Sequence, residues 1–434
     1  MAAAGAKALP TQMTGLRLIA PLTGLALLSA FAVMWRLDPD LYYRAFALTG
    51  FAAFRTPFID WEGVSAFVEC WRRGVDVYLV DPCDVRGQLF NYSPLWLEAR
   101  FIPFGPAWRY AIGLTMDAAF FASLWFVFRP ADWREAAVFT LAAVSPMVAF
   151  GAERANVDLA IFVLVVIGCS LTQGGRIGRL AGYAVLLLAG LLKFYPLAAL
   201  VAALRERPRM FWAVTGVSVL VVAGFVFAYR RELPLVLAAV PHPPWDELAF
   251  GAPNLTGWAR AVTRSPPIVL LFGGLAAAAA AAGALILARS PGAAAVRAGM
   301  DPRDRTLLAV GAAVMLGCFA MGQNGDYRAV FLLMVEGGLL AARRKAPPAL
   351  AGRLAGLSII VVALMWEPAL QPLARTGGPI AWLIWWPGHE LLWWGLAGAL
   401  AAILAGFAWV SPALWPLGGS RLTAPETQKA RPGR

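Results

Sequence analysis

Four groups of polar residues interrupt an otherwise oily chain, and each holds residue types that can do chemistry. Asp60 stands just ahead of a Trp-rich stretch that begins Trp61-Glu62. Glu153-Arg154-Ala155-Asn156-Val157-Asp158 opens one apolar run, Lys193 lies in the middle of another, and Gln323-Asn324-Gly325-Asp326-Tyr327-Arg328 leads into a third. A positioned carboxylate can take a proton from a reacting hydroxyl. Guanidinium and ammonium groups make short, charge-assisted hydrogen bonds to anions, phosphate among them. Each group also has a plain structural reading. Asp60 fits the cap of the helix that follows it. Arg154 and Asp158, four residues apart, fit an ion pair as well as a ligand site, and Asp326 and Arg328 can pair with each other. Lys193 can snorkel, yet it sits centrally in its segment, an expensive place for an ammonium without a purpose. Asp117 and Glu336 fall inside apolar runs, where they are either neutral or hydrogen-bonded between helices.

These groups must be positioned by membrane helices. The chain of 434 residues is 60% hydrophobic and only 14% charged. Soluble domains carry about 25% charged residues, so this chain cannot cover its surface in water. The fold class is all-α, a polytopic transmembrane bundle. A spanning helix needs about 20 mostly apolar residues. Ten runs qualify: 18–35, 108–128, 135–150, 156–172, 210–228, 267–288, 306–321, 328–342, 353–369 and 390–410. The first is long for a signal peptide and reads as a retained anchor, although Ala30-Phe31-Ala32 resembles a cleavage site. The stretch 180–204 is too long for one span and too short for two. Lys193-Phe194-Tyr195-Pro196 breaks it, and Pro196 pushes Tyr195 out of the helical region. It reads as a re-entrant hairpin of two half-helices with Lys193 at the tip.

Charge supports the layout. With the N-terminus inside, segments 1–17, 129–134, 173–179, 205–209, 289–305, 343–353 and 411–434 hold 21 Lys or Arg against six acids when Glu135 is counted at the second boundary, and the rest holds 16 against 19. The basic excess is therefore a positive-inside signal, and nucleic acid is not needed as a partner. A single span at 180–204 would invert every later loop. Both termini are expected in the cytoplasm, in a plasma (inner) membrane. Residues 1–410 form one domain, followed by a cytoplasmic tail at 411–434. Two His and four Cys leave little for a zinc site or a disulfide scaffold. No G-x-x-x-x-G-K-[ST] motif serves a nucleotide.

All four polar groups fall on the external face, beneath the long first external segment, 36–107. Within it, 61–71 reads as an amphipathic helix of the kind that lies in the interface plane. Cys70 and Cys83 share this segment; an oxidising compartment permits a bridge between them, and two unpaired thiols are the alternative. Cys169 and Cys318 lie in spans and should be inert. The loop 229–266 adds His242, Trp245, Asp246 and Asn254, the last in a weak glycosylation pattern with Thr256.

The order of "FIDWEGVSAFVECWRRGVDVY", "FNYSPL", "GAERANVDLAIFVLVV", "LLKFYPLAALVAAL" and "NGDYRAVFLLM" resembles the GT-C superfamily of polyprenyl-phosphate-sugar glycosyltransferases. Within it the chain is most similar to glycosyltransferase family 87, which includes polyprenol-phosphate-mannose-dependent mannosyltransferases. The likeness runs from about residue 16 to 345; "NYSPL" departs from the double proline usual after that tyrosine. The resemblance implies a GT-C fold and an inverting transfer of a hexose, mannose by family, to a lipid or glycan acceptor. It implies a catalytic carboxylate in the first external loop, which by position is Asp60. Glu62 is the nearest competitor, and Asp38 and Asp40 are weaker ones. The leaving group would be a lipid phosphate, met by Lys193, Arg328 and Arg154, with Asn156, Asp158, Asn324 and Asp326 completing the donor site. No cofactor is implied. Some relatives use a divalent metal, but the one external Asp-x-Asp is Asp38-Pro39-Asp40, and no metal is expected.

Two other classes share the composition. A transporter or flippase of lipid-linked sugars would not need a long external segment, and its usual inverted repeat is not visible here. An O-antigen ligase or polymerase would carry its long loop late in the chain, whereas here it follows the first span.

Overall fold

The computed structural model describes residues 11–414 except 55, 85, 100–104, 242, 244, 289–291 and 410. His242 and nearly all of the expected tail thus lie outside the described residues. The chain is helical almost throughout. Helix α1 (Thr11–Leu37) leads into a short α2 (Pro39–Ala47), and α3 (Ile59–Arg72) and α4 (Leu95–Glu98) belong to the first long loop. Then come α5 (Arg109–Val127), α6 (Trp133–Ala143), α7 (Pro146–Glu153), α8 (Val157–Leu171) and α9 (Arg176–Lys193). A 3-10 arm, Tyr195–Arg205, precedes α10 (Pro208–Ala228), α11 (Glu232–Ala239), α12 (Ala252–Thr263), α13 (Pro266–Ala288) and α14 (Ala293–Gly299). The last four are α15 (Pro302–Met321), α16 (Leu332–Arg343), α17 (Pro348–Thr376) and α18 (Gly378–Trp409). Among the described residues the only strand pairing joins Ala249–Phe250 to Asn324–Gly325.

Each of the ten apolar runs is helical, but they are not ten equal spans. Seven described helices are long and apolar enough to cross a membrane, and eight if α6 and α7 count together. Pro146 splits that run. It lacks a donor for the helical ladder, and the two pieces meet at 47°. Helix α8 has only 15 residues, and the run at 328–342 opens as a 3-10 turn, so α16 has only 12.

The hairpin also has a physical explanation. Phe194, at φ 64°, reverses the chain after Lys193. Tyr183 donates to Glu206 at 3.0 Å and Arg179 pairs with it at 3.1 Å, so the two arms close at their base. The return arm is a 3-10 helix, which rises about 2.0 Å per residue rather than 1.5 Å. Its 11 residues therefore reach about as far as the 15 of α8. This winding lets a stretch too short for two α-helices run out and back.

Segments assigned to one face gather at one end of the bundle. Arg17 donates to the Trp125 carbonyl at 2.8 Å, Arg303 to that of Phe126, and Arg344 to Glu135 at 2.9 Å. Ser411 bonds the carbonyl of Leu204 at 2.6 Å. The other end holds the long loop and the four polar groups. Small residues bring α13 and α18 together: a Cβ on Gly398 would lie 1.8 Å from the Ala280 carbonyl oxygen, and one on Gly283 would lie 1.9 Å from that of Gly395. Such close backbone approach is how helices pack without a hydrophobic driving force. Glu336 accepts from Ser358 across α16 and α17, which settles it as an interhelical bond. Asp117 is fully buried and neither of its oxygens has a partner among the described residues.

Candidate active site

Asp60 is not a helix cap. Phe58 occupies that position in a left-handed conformation, φ 68°, with no side-chain cap bond. Its N–H donates to the Glu153 carbonyl at 2.7 Å, and the N–H of Asp60 donates to that of Arg154 at 3.2 Å. Gly113 leaves room for the Phe58 ring, since a Cβ there would meet it at 2.6 Å. The strained turn thus docks the start of α3 onto the end of α7. The Asp60 carboxylate is then free to face the neighbouring elements.

Three groups meet it. Arg86 Nη1 donates to Oδ1 at 3.1 Å, the Arg154 guanidinium lies 3.7 Å from the same oxygen, and Asn156 Nδ2 donates to Oδ2 at 2.7 Å. Arg154 is held flat by Phe150 and Phe54, 4.2 and 4.7 Å from its guanidinium carbon. Asn156 has a second task, because its Oδ1 accepts from the N–H of Asp158 at 3.0 Å and caps α8. A carboxylate offers about four lone-pair sites, so Asp60 keeps capacity for a further proton donor.

Asp158, two residues on, carries the second half of the site. It is fully buried and pairs with Lys193 at 3.2 Å and Arg328 at 3.3 Å. Arg328 also donates to Asn324, whose amide is fixed by the carbonyls of Cys318 and Gly322 at 2.6 and 2.9 Å. Lys193 lies over Tyr92 at 4.6 Å, and Arg328 over Tyr195 at 5.3 Å. Burial, with Asp60 and Asp158 nearby, pushes the Tyr92 hydroxyl well above its ordinary range, so it stays a neutral donor. Four cations (Arg86, Arg154, Lys193 and Arg328) thus stand against Asp60, Asp158 and Asp84, the last 3.7 Å from Arg86. Glu153, held by Tyr42 at 3.1 Å and the N–H of Phe54 at 3.0 Å, is a further carboxyl close to Arg154 and Asp60.

The structure brings together Asp60, Arg154, Asn156, Asp158, Lys193, Asn324 and Arg328. Arg154 and Asp158 do not pair with each other, nor Asp326 with Arg328; each turns to a different partner. Two expected members stand apart. Glu62 is taken by Arg109 at 2.6 Å. Asp326 faces away, because residues of a 3-10 turn are about 120° apart and only Arg328 points to Asp158. Its neighbours are the carboxyls of Glu367, Asp246 and Glu390, and burial raises its own carboxyl well above the usual range. Asn254 is buried too, donating to Glu390 at 2.8 Å and to two carbonyls, which removes it as a glycosylation acceptor. Asp38 caps α2 through the N–H of Leu41, and Asp40 lies in the first turn of α2. The one grouping of metal-ligand residues found among the described residues is Cys70, Asp81 and Cys83, and its two sulfurs are bonded to each other.

Arg86, Tyr92 and Tyr195 were not picked out from sequence. Both tyrosines lie in stretches already notable, "FNYSPL" and "LLKFYPL". Arg86 had one signal, its place three residues after Cys83. The helix at 61–71 is amphipathic as expected but does not lie open at an interface. Phe90, Tyr92 and Trp96 from the same loop cover it, with Phe67 and Phe90 centred 5.2 Å apart and Trp61 and Trp96 6.3 Å apart.

Two apolar recesses open between the helices. One, of about 340 Å³, lies between α1, α2, α5 and α7 and reaches Pro57, Phe58 and Glu153. The other, of about 460 Å³, runs between the 3-10 arm and α10 and is lined by Leu197, Leu200, Val214, Ser218 and Val222. Its first residue is four beyond Lys193.

Comparison of the chain with protein-family models, curated proteins and solved structures gave no match.

Proposed function

We propose that the chain is an integral-membrane glycosyltransferase moving a hexose, mannose by its family likeness, from a polyprenyl-phosphate donor to an acceptor hydroxyl. The acceptor is a lipid or glycan on the external face. One observation carries this reading: Asn156 and Asp158, two residues apart at the start of α8, hold Asp60 on one side and the Lys193–Arg328 pair on the other. A proton acceptor and an anion-binding pair therefore share one rigid support. In the proposed step Asp60 takes the acceptor proton while the acceptor oxygen attacks the anomeric carbon. The bond from that carbon to the phosphate oxygen breaks, and the lipid phosphate leaves against Lys193 and Arg328. A single displacement inverts the anomeric centre and forms no sugar–enzyme bond. The apolar recess between α10 and the 3-10 arm that follows Lys193 suits the chain of a lipid phosphate. A soluble nucleotide-sugar would have no use for it.

Purified protein in lipid, given radiolabelled polyprenyl-phosphate sugars and a membrane lipid extract, should transfer label. Lys193→Ala and Arg328→Ala should raise the donor KM by at least tenfold, each removing a charge-assisted contact worth roughly 1.5–3 kcal/mol. Unchanged donor kinetics in both variants would move the phosphate site elsewhere.

A further inference from the structure

The disulfide and the base are joined through one short turn. Cys70 lies on α3, the helix that begins beside Asp60, and is bonded to Cys83. Beyond Cys83 the chain is knitted by two carboxylates. Asp81 Oδ1 accepts from the N–H groups of Cys83 and Asp84 at 2.9 and 3.2 Å, and Asp84 Oδ2 accepts from that of Gln88 at 2.9 Å. Arg86 projects from this turn back to Asp60 at 3.1 Å, with Asp84 3.7 Å from its Nε. Its guanidinium crosses α3 at Gly63, where a Cβ would lie 2.6 Å from Nη2. Gly63 is three residues after Asp60 and so on the same face of the helix. Helix, disulfide, turn and guanidinium therefore close a ring with Asp60 and Cys70 on its rigid side. Val77, Tyr78 and Phe90 are buried and anchor the two ends of this loop, and the N–H of Phe90 donates to the Val77 carbonyl at 3.1 Å, whereas Leu79 and Val80 between them are exposed, so the stretch that carries Arg86 is held by the disulfide and the two carboxylates.

We infer that the Cys70–Cys83 bond is an oxidation-dependent tether delivering Arg86 to Asp60, with Arg86 the residue that orients the base. The inference rests on the proposed transfer reaction for its activity readout, but the tether is separately measurable. A dithiol reductant breaks the bond by exchange: two electrons and two protons pass to Cys70 and Cys83, and the dithiol leaves as its cyclic disulfide. The freed turn lets Arg86 swing away, and Asp60 keeps only Arg154 and Asn156.

Two measurements on the full-length protein in lipid test this. The first is hydrogen exchange across residues 83–88 and 59–64, with and without dithiol and in the Cys70→Ser/Cys83→Ser variant, with no substrate present. Both segments should exchange faster once the bond is absent. Equal exchange in bonded and unbonded protein overturns the tether, even if no transfer activity is ever found. The second is transfer with labelled polyprenyl-phosphate mannose. Arg86→Met should lower kcat by roughly 10–100-fold, the scale of a catalytic group misplaced by about 1 Å, with the donor KM changed less than about twofold. Arg86→Lys should recover part of the loss. Gly63→Ala, which displaces only the end of a flexible side chain, should reproduce it with the disulfide intact. Reduction should cost the wild type as much as Arg86→Met does, and should cost that variant nothing more, because both remove one interaction. Losses that multiply, or a reduced protein with full kcat, would show that the bond does not act through Arg86.

Discussion

Asp60→Asn is expected to fold like the wild type and to transfer almost no sugar. The substitution keeps size and shape, so the turn at Phe58 and the docking of α3 on α7 should survive. It removes the one atom set at this position that can accept a proton. General-base catalysis contributes roughly 10²–10⁴-fold, so the initial rate should fall by at least about two orders of magnitude. The cations left behind are partly compensated, since Arg86 retains Asp84 and Arg154 retains its two phenyl rings. Folding should therefore be unimpaired by size exclusion and thermal unfolding in lipid. Glu62→Gln is the paired control. Glu62 is engaged with Arg109 rather than the site, so that variant should keep its rate within about threefold. If the Asn variant turned over like the wild type while the Gln variant did not, the two carboxylates would have to exchange roles.

The second large effect concerns stability. Asp158 is fully buried between Lys193 and Arg328. Asp158→Ala leaves both cations without their carboxylate, and breaking a buried pair from one side costs about 3–5 kcal/mol. The inactivation half-life at a fixed temperature should shorten sharply, a measure that does not require unfolding to be reversible. Adding Lys193→Met should restore part of the loss, because one unpaired charge goes and Arg328 keeps Asn324. An Asp158→Ala protein as durable as the wild type would mean these cations are not held by Asp158, and the donor site would lose its support.

Much of this arrangement was legible in the sequence. Apolar runs located the helices, and the Lys and Arg distribution assigned loops to faces that the structure gathers at two ends. The break in the run around Lys193 is legible from Pro196, but the 3-10 winding of the arm that follows it is not. What escaped was set by geometry without sequence periodicity. A positive φ at Phe58 moved Asp60 from cap to site, and nothing in a phenylalanine announces that conformation. Burial of α3 depended on the same loop folding back over it, a contact between stretches with no repeat to link them. Asp326 looked like a partner of Arg328 until a 3-10 turn sent the two to different sides. Arg86 reaches Asp60 from 26 residues away, and only its nearness to Cys83 connected it to the helix.

A transferase of the proposed kind cleaves a lipid-linked sugar, whereas a carrier moves it intact. Sealed vesicles containing the purified protein, loaded with polyprenyl-phosphate mannose labelled in the sugar and a lipid extract, separate the two. Labelled product and free polyprenyl phosphate should appear in equal amounts, and both should vanish with Asp60→Asn. Label that crosses the bilayer still attached to its polyprenyl phosphate, with no free lipid phosphate formed, would contradict the proposed transfer and make the protein a carrier.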